Sequence, residues 1–339
     1  MPQPRKSDAV SWDSAADGDV QPIGLPHVSV TEQGPAWANP FAPLDLGALG
    51  LGGAKAPLPA PAQAPVEAPE VTGMQAAKGG NAGTSGGGGG GGTSNLAVLT
   101  SYTTGQNNGV PDTAEYNVEI VFKGGLWTTA LQDAFKVAAD KIASWIIGDV
   151  PSAMVVIDGV KTKVDDIRIN AELQDIDGLY GILGMAGPTA QRADSALPAA
   201  ARMLFDIADA SSLLADGYWD EVVLHEMLHS VGFGCIWDAK GLVQQVSATE
   251  AWYTGANGNA AYRAALAAAG TPDPAARIAV ETDGGPGTAL SHWDEATFGT
   301  ELMTGWLNTG PGVEDPLTTM SIASLADLGY KIASQYMFA

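Results

Sequence analysis

Cysteine is nearly absent from this chain, with one residue, Cys235, in 339. A lone thiol forms no intrachain disulfide, so the fold must hold through packing, hydrogen bonds or a metal. Basic side chains are scarce as well: 16 Lys and Arg stand against 38 Asp and Glu, a formal charge of −22. Such a balance excludes a phosphate-neutralising surface, and with it nucleic acid as the main partner. No apolar run approaches the roughly 20 residues that span a bilayer, so no membrane span is expected. The first 30 residues begin basic but lack the apolar core of a secretory signal peptide.

Proline and glycine are present in quantity, 21 and 43, but unevenly spread. The segment from Ala56 to Glu70 alternates proline with small residues, and glycine occupies every position from Gly86 to Gly92. Proline-rich chain favours extended, solvated backbone, and a glycine run has no side chains to bury and the largest ordering entropy to lose. Residues 1–95 are therefore expected to be a disordered Pro/Gly-rich segment, with His27 in solvent, and residues 96–339 the folded domain.

Beyond residue 95 the periodicities change. Tyr116, Val118, Ile120 and Phe122 alternate as on a strand, and Leu131, Phe135, Ala138, Ile142 and Trp145 recur at helical spacing within 128–147. Met154–Ile157 and Asp166–Leu173 read as two more strands, and Tyr180–Leu183, ahead of Gly187-Pro188, as a short edge strand. This order implies an α+β fold with helices packed on a mixed sheet.

The chemistry concentrates in Trp219–Cys235, which contains His225-Glu-Met-Leu-His229. On a helix, residues four apart lie about 40° apart around the axis, so both imidazoles can share one metal ion. Glu226 falls beside them, placed to handle a proton without being a ligand. Leu224, Met227, Leu228 and Val231 form the core-facing stripe. The same motif arises by chance on solvated helices, but two of the chain's four histidines fall in it. A catalytic zinc ion needs a third protein ligand and an open fourth position. Cys235, His292 and Glu250 are the candidates. A thiolate binds zinc well, but its charge weakens the metal's ability to acidify water.

The block around His225, an insertion of residues 233–291, and then Ser291-His-Trp-Asp-Glu-Ala-Thr-Phe-Gly-Thr-Glu-Leu-Met-Thr-Gly305 together resemble the leishmanolysin-type metzincin peptidases. Looser similarity runs from about Tyr116 to Tyr330. The resemblance implies a twisted mixed sheet with the active-site helix in an N-terminal subdomain (96–232), and a more irregular C-terminal subdomain (233–339). It also implies that Gly232 ends the helix in a left-handed turn, that His292 is the third zinc ligand, and that Met303 forms the methionine turn. Cys235 stands where shorter metzincins have their third histidine, so it remains the alternative ligand. The departures are informative. No cysteine precedes Cys235, so the cysteine framework and the prosegment thiol switch of eukaryotic members are missing, and Trp306 stands where some metzincins carry a tyrosine after the methionine.

The function so implied is that of a zinc endopeptidase acting on protein or peptide substrates, with Glu226 as general base and acid and one catalytic Zn²⁺. The Tyr180–Gly184 segment is the candidate edge for an extended substrate. A different class of reading is a binding or adhesion module around a structural or relic zinc site. Calcium has no motif in its support, although Asp165, Asp166, Asp175 and Asp177 offer carboxylates. A monomer is expected, exported without a cleaved N-terminal signal; a cytoplasmic location is the alternative.

Overall fold

The computed structural model describes residues 27–29, 96–106, 108–179, 182–285, 287–310 and 312–338. Residues 95–339 belong to one compact unit. Its centre is a six-stranded sheet in the order β1-β7-β8-β6-β3-β2. These strands are β1 (His27–Ser29), β2 (Val98–Thr103), β3 (Val118–Lys123), β6 (Ile167–Gln174), β7 (Ile182–Gln191) and β8 (Pro198–Asp206). β3, β6 and β8 run parallel, while β2, β7 and β1 are antiparallel to their neighbours. One piece of the segment expected to lack structure is thus a strand, since His27–Ser29 pairs with Ile182–Met185 of β7.

Helix α1 (Thr129–Trp145) starts where the Thr128 side chain accepts from the Leu131 N–H, supplying a partner for one of the first-turn amides. Its buried face is the one the spacing predicts: Leu131, Phe135, Ala138, Ile142 and Trp145 all lie in the core. Phe135 packs edge-on against Phe122 of β3 and Phe205 of β8. Edge-to-face geometry adds to the burial energy of these rings. After α2 (Ile207–Asp216), Gly217 takes up a left-handed conformation and α3 (Trp219–Ser230) begins, with Trp219 packed edge-to-face on Phe205.

The strands differ from expectation in where they sit and how far they run, and one strand, β8, goes unread in the sequence. Met154–Ile157 is a strand as expected, but outside the main sheet: β4 (Ala153–Ile157) pairs with β5 (Val160–Val164) as a separate hairpin. Its Val155 and Val164 pack on Ala199 and Ala200 of β8, covering that strand's second face. β8 itself carries no alternation, because a central parallel strand buried on both faces has none to show. The strand expected at the edge is covered on its outer side by β1, and it does not stop before Gly187-Pro188. β7 continues to Gln191, taking up Pro188 at a register shift against β8.

The remaining chain is less regular. It contains α4 (Trp237–Lys240), the hairpin β9–β10 (Val243–Ser247 and Glu250–Tyr253), α5 (Ala256–Ala268), α6 (Glu295–Phe298) and α7 (Thr319–Leu328). An aromatic cluster of Phe233, Trp237, Tyr253 and Trp293 fills its interior. No helix among the described residues is long and apolar enough to cross a membrane.

Candidate metal centre

Helix α3 is buried nearly all round, from Val222 to Ser230, rather than along a single stripe. Leu224, Met227, Leu228 and Val231 do face core as expected, and the histidine side is enclosed too. After Ser230 the chain turns sharply: Gly232 has φ 108° and its N–H donates to the His229 carbonyl at 3.0 Å. At that φ a side chain is strained, and a Cβ would meet Ile236 Cδ1 at 2.9 Å.

Two residues on, Gly234 has φ 69°, and a Cβ there would sit 2.1 Å from the Ser291 carbonyl oxygen. Glycine at this position lets the loop carrying His292 lie against the end of α3. The three Nε2 atoms converge as a result: His225 to His229 at 2.9 Å, His229 to His292 at 3.0 Å, and His225 to His292 at 3.2 Å.

The opposite ring nitrogens decide what this convergence means. His225 Nδ1 lies 2.7 Å from the Leu302 carbonyl, His229 Nδ1 2.9 Å from that of Phe233, and His292 Nδ1 3.0 Å from that of Thr288. A carbonyl only accepts, so each Nδ1 carries the proton and each Nε2 presents a lone pair. Three lone pairs in a dry site repel one another unless an electrophile lies among them. Zinc bonds of 2.0–2.1 Å in a tetrahedron set nitrogens about 3.3 Å apart, within a few tenths of an ångström of what is found. The donor set therefore fits a zinc ion. Burial holds His225 down to about 4, and holds His229 well below the usual imidazole range with help from its two histidine neighbours, so both rings are neutral and ligand-ready at pH 7.

Among the described residues no further His, Cys, Asp or Glu joins the three histidines. Cys235, the alternative ligand, is partly buried outside the group. Burial, and then the charge of Glu226, push its thiol well up, so it is no ready thiolate. Glu250 is exposed on β10, where it accepts from the Trp252 indole at 2.8 Å.

Glu226 is fully buried, and neither carboxylate oxygen has a hydrogen-bond partner. A buried, unpartnered carboxylate is costly, and burial pushes its proton affinity well up. It abuts β7, where a Cβ on Gly184 would come within 3.1 Å of Glu226 Cγ. Met303 is buried, and its N–H and carbonyl are taken by Glu301 at 2.5 Å and by the Trp293 N–H at 2.9 Å.

The sequence reading missed Gly234 and Glu301, and it named Gly184 only as the end of the candidate edge, without its approach to Glu226. Gly234 had a visible signal, the second glycine in Val-Gly-Phe-Gly-Cys, whereas nothing local marks Glu301. Of the carboxylates offered for calcium, Asp165 and Asp166 gather with Asp149. Both Asp166 oxygens are already engaged by backbone, the Asn117 N–H at 2.7 Å and the Val150 N–H at 2.6 Å, so this carboxylate is an anchor for the corner where β3 and β6 begin.

Compared with known protein families, residues 175–337 match the leishmanolysin family of peptidases. The chain is leishmanolysin-like. The matched region of this leishmanolysin-like chain begins just before β7 and takes in α3, all three histidines and Met303. The family is one of metallopeptidases, hydrolases whose substrates are polypeptides, and the three-histidine group is compatible with a metal site. No curated protein matches the chain.

Proposed function

We propose that the chain is a zinc-dependent endopeptidase with His225, His229 and His292 as metal ligands and Glu226 as general base and acid. The observation that carries this reading is the convergence of three carbonyl-oriented imidazoles beside a buried carboxylate without partners. Zinc bound there would supply Lewis-acid chemistry, polarising a scissile carbonyl and acidifying water. Glu226 takes the proton of the attacking water and passes it to the leaving amine. Its lack of any competing donor leaves both oxygens free for that exchange. Gly184 keeps β7 close to Glu226, so a peptide paired with this edge would pass the carboxylate. The antiparallel pairing of His27–Ser29 with the same residues of β7 supports that edge as able to accept extended chain. Met303 serves as apolar floor, neither ligand nor base.

A structural zinc site in a binding module would need closure by a fourth protein ligand. The three-histidine group, with none added among the described residues, favours an open site instead. The test is a pair of substitutions in the full chain. Glu226→Gln is expected to keep stoichiometric zinc and lose casein cleavage by at least about a hundredfold, the scale of general acid–base catalysis. His292→Ala is expected to lose the zinc. Wild-type proteolysis by the Gln variant, or undiminished zinc in the Ala variant, would contradict the assignment.

A further inference from the structure

The loop around Met303 contains a charged group that the proposed reaction does not use. Glu301 is 3% exposed, and among the described residues no Lys or Arg pairs with it. Four donors converge on its carboxylate instead. Oε2 accepts from the Met303 N–H at 2.5 Å, and Oε1 from the Thr318 N–H at 3.0 Å, the Thr318 hydroxyl at 2.9 Å and the Ser321 hydroxyl at 2.5 Å. Thr318 and Ser321 are the cap and the third residue of α7, so one side chain ties that helix to the methionine loop.

Two connections lead from this carboxylate to the histidines. Glu301 fixes the Met303 N–H, and the peptide group that supplies it is the one whose oxygen, Leu302 O, lies 2.7 Å from His225 Nδ1. Ser321, which donates to Glu301, accepts from the Trp293 indole N–H at 2.7 Å, and the Trp293 backbone N–H donates to Met303 O at 2.9 Å. Trp293 follows His292 in sequence. A single carboxylate thus grips both polar ends of the Leu302–Met303 peptide's surroundings: directly at its nitrogen, and through Ser321 at the residue beside His292.

We propose that Glu301 is a positioning residue for the metal centre, holding the Leu302 carbonyl where it orients His225 and bracing Trp293 where it sets His292. This rests on the metal-ligand reading given above. The chemistry explains why a carboxylate is used here: burial raises its proton affinity, but the Ser321, Thr318 and Met303 donors oppose that rise. Four N–H and O–H groups point at two oxygens, and only a carboxylate accepts at both without presenting a hydrogen of its own. A glutamine of nearly the same volume would turn an N–H₂ group towards either Met303 N–H or the Thr318–Ser321 donors, so one connection must break. Groups that orient metal ligands in this way typically change metal affinity by about 10–100-fold when altered.

The experiment measures zinc affinity by chelator competition, together with the visible spectrum of the cobalt-substituted full chain, at a temperature where circular dichroism shows the metal-free protein folded. Glu301→Gln is expected to weaken zinc binding by about 10–100-fold and to change the cobalt bands. Ser321→Ala, which severs only the Trp293 connection, is expected to weaken binding several-fold in the same direction. A purely structural role would lower the melting temperature and leave both readouts of the folded variant unchanged; that result overturns the proposal. If Glu301→Gln fails to fold, Ser321→Ala decides, with wild-type affinity and spectrum counting against the proposal. A wild-type chain that takes up no zinc would remove the metal-centre reading itself, a separate failure.

Discussion

The sheet half of the domain, residues 96–232, and the loop half, 233–338, reach order by different means. In the sheet half, strands and helices satisfy most of the backbone, with Asp166 and Asp206 collecting amides at its corners, and the other side chains are left to pack: Phe122, Phe135, Phe205 and Trp219 form one continuous aromatic core. The loop half has few ladders, so buried and half-buried acids collect its amides. Glu281 accepts from Thr282, Asp283 and Glu295, and Asp327 from Asn257 and Gly258, alongside Glu301. Buried backbone N–H groups must find acceptors, and a carboxylate can serve several at once. The metal centre lies where the two means meet, with two histidines from a packed helix and one from a loop held by polar side chains.

The largest expected effect tests the sheet half alone. Phe135 is fully buried at the middle of the aromatic core, and Phe135→Ala should cost about 3–5 kcal/mol in chemical unfolding. If order in the two halves has separate causes, the variant that remains folded should bind zinc as wild type does. A large loss of zinc affinity in the folded fraction would show that the centre depends on sheet packing, and the contrast would fail.

A smaller and more selective effect is expected at the meeting point. Gly234→Ala introduces both a left-handed side chain and a contact of 2.1 Å with the Ser291 carbonyl, which is backbone and cannot rotate aside. Gly241 has nearly the same φ, 65°, but open space around its Cβ position, so Gly241→Ala carries the conformational cost alone, about 1 kcal/mol. Gly234→Ala should lose more stability than this control and should also weaken zinc binding, since Ser291 adjoins His292. Equal melting temperatures and equal zinc affinities for the two variants would remove the role assigned to the close approach.

The contrast also explains what was legible in the sequence. α1 was readable because its apolar residues repeat at 3.6, and His225, Glu226 and His229 were readable because a four-residue spacing fixes geometry within one helix. β8 was not, because burial on both faces erases alternation and its four small residues, Pro198 to Ala201, carry little strand signal. The approach of His292 to the helix could be suggested only by resemblance. Its position depends on Gly234 meeting Ser291, and the centre as a whole on partners 63 to 77 residues apart, His229 with His292 and His225 with the Leu302 carbonyl, relationships that no local period encodes. Glu301 looks like any surface acid in sequence, and its importance arises only when α7 closes over it.

The smallest effect concerns two acids, one from each half, that meet at the boundary and lack enough donors. Glu221 of α3 and Asp315 line a small cavity with Val222, His225, Leu302, Trp306 and Leu307. Burial pushes Glu221 up to about 7; Glu314 and Asp220 add to the rise, while the Asp315 N–H and Lys141 oppose it. Burial likewise pushes Asp315 up to about 8, with Glu221 and Glu295 adding and Asn308 opposing. A carboxyl whose folded value is raised stabilises the protein fully below its unfolded value near 4, and that contribution is lost as pH rises through 7 to 8. The zinc-saturated protein, whose histidines are held by metal, should therefore melt lower at pH 8.5 than at pH 5.5. Glu221→Gln removes one of these charges while losing only a weak 3.4 Å acceptor for the Asp315 N–H. It should raise the melting temperature at pH 8.5 by about 2–4 °C, corresponding to roughly 1 kcal/mol, and by less at pH 5.5, where only part of the cost has accrued. Scanning fluorimetry at the two pH values measures the difference. An equal shift at both would mean that Glu221 acts through packing, as residues of the sheet half do, and the division between packed and charge-ordered halves would not extend to α3.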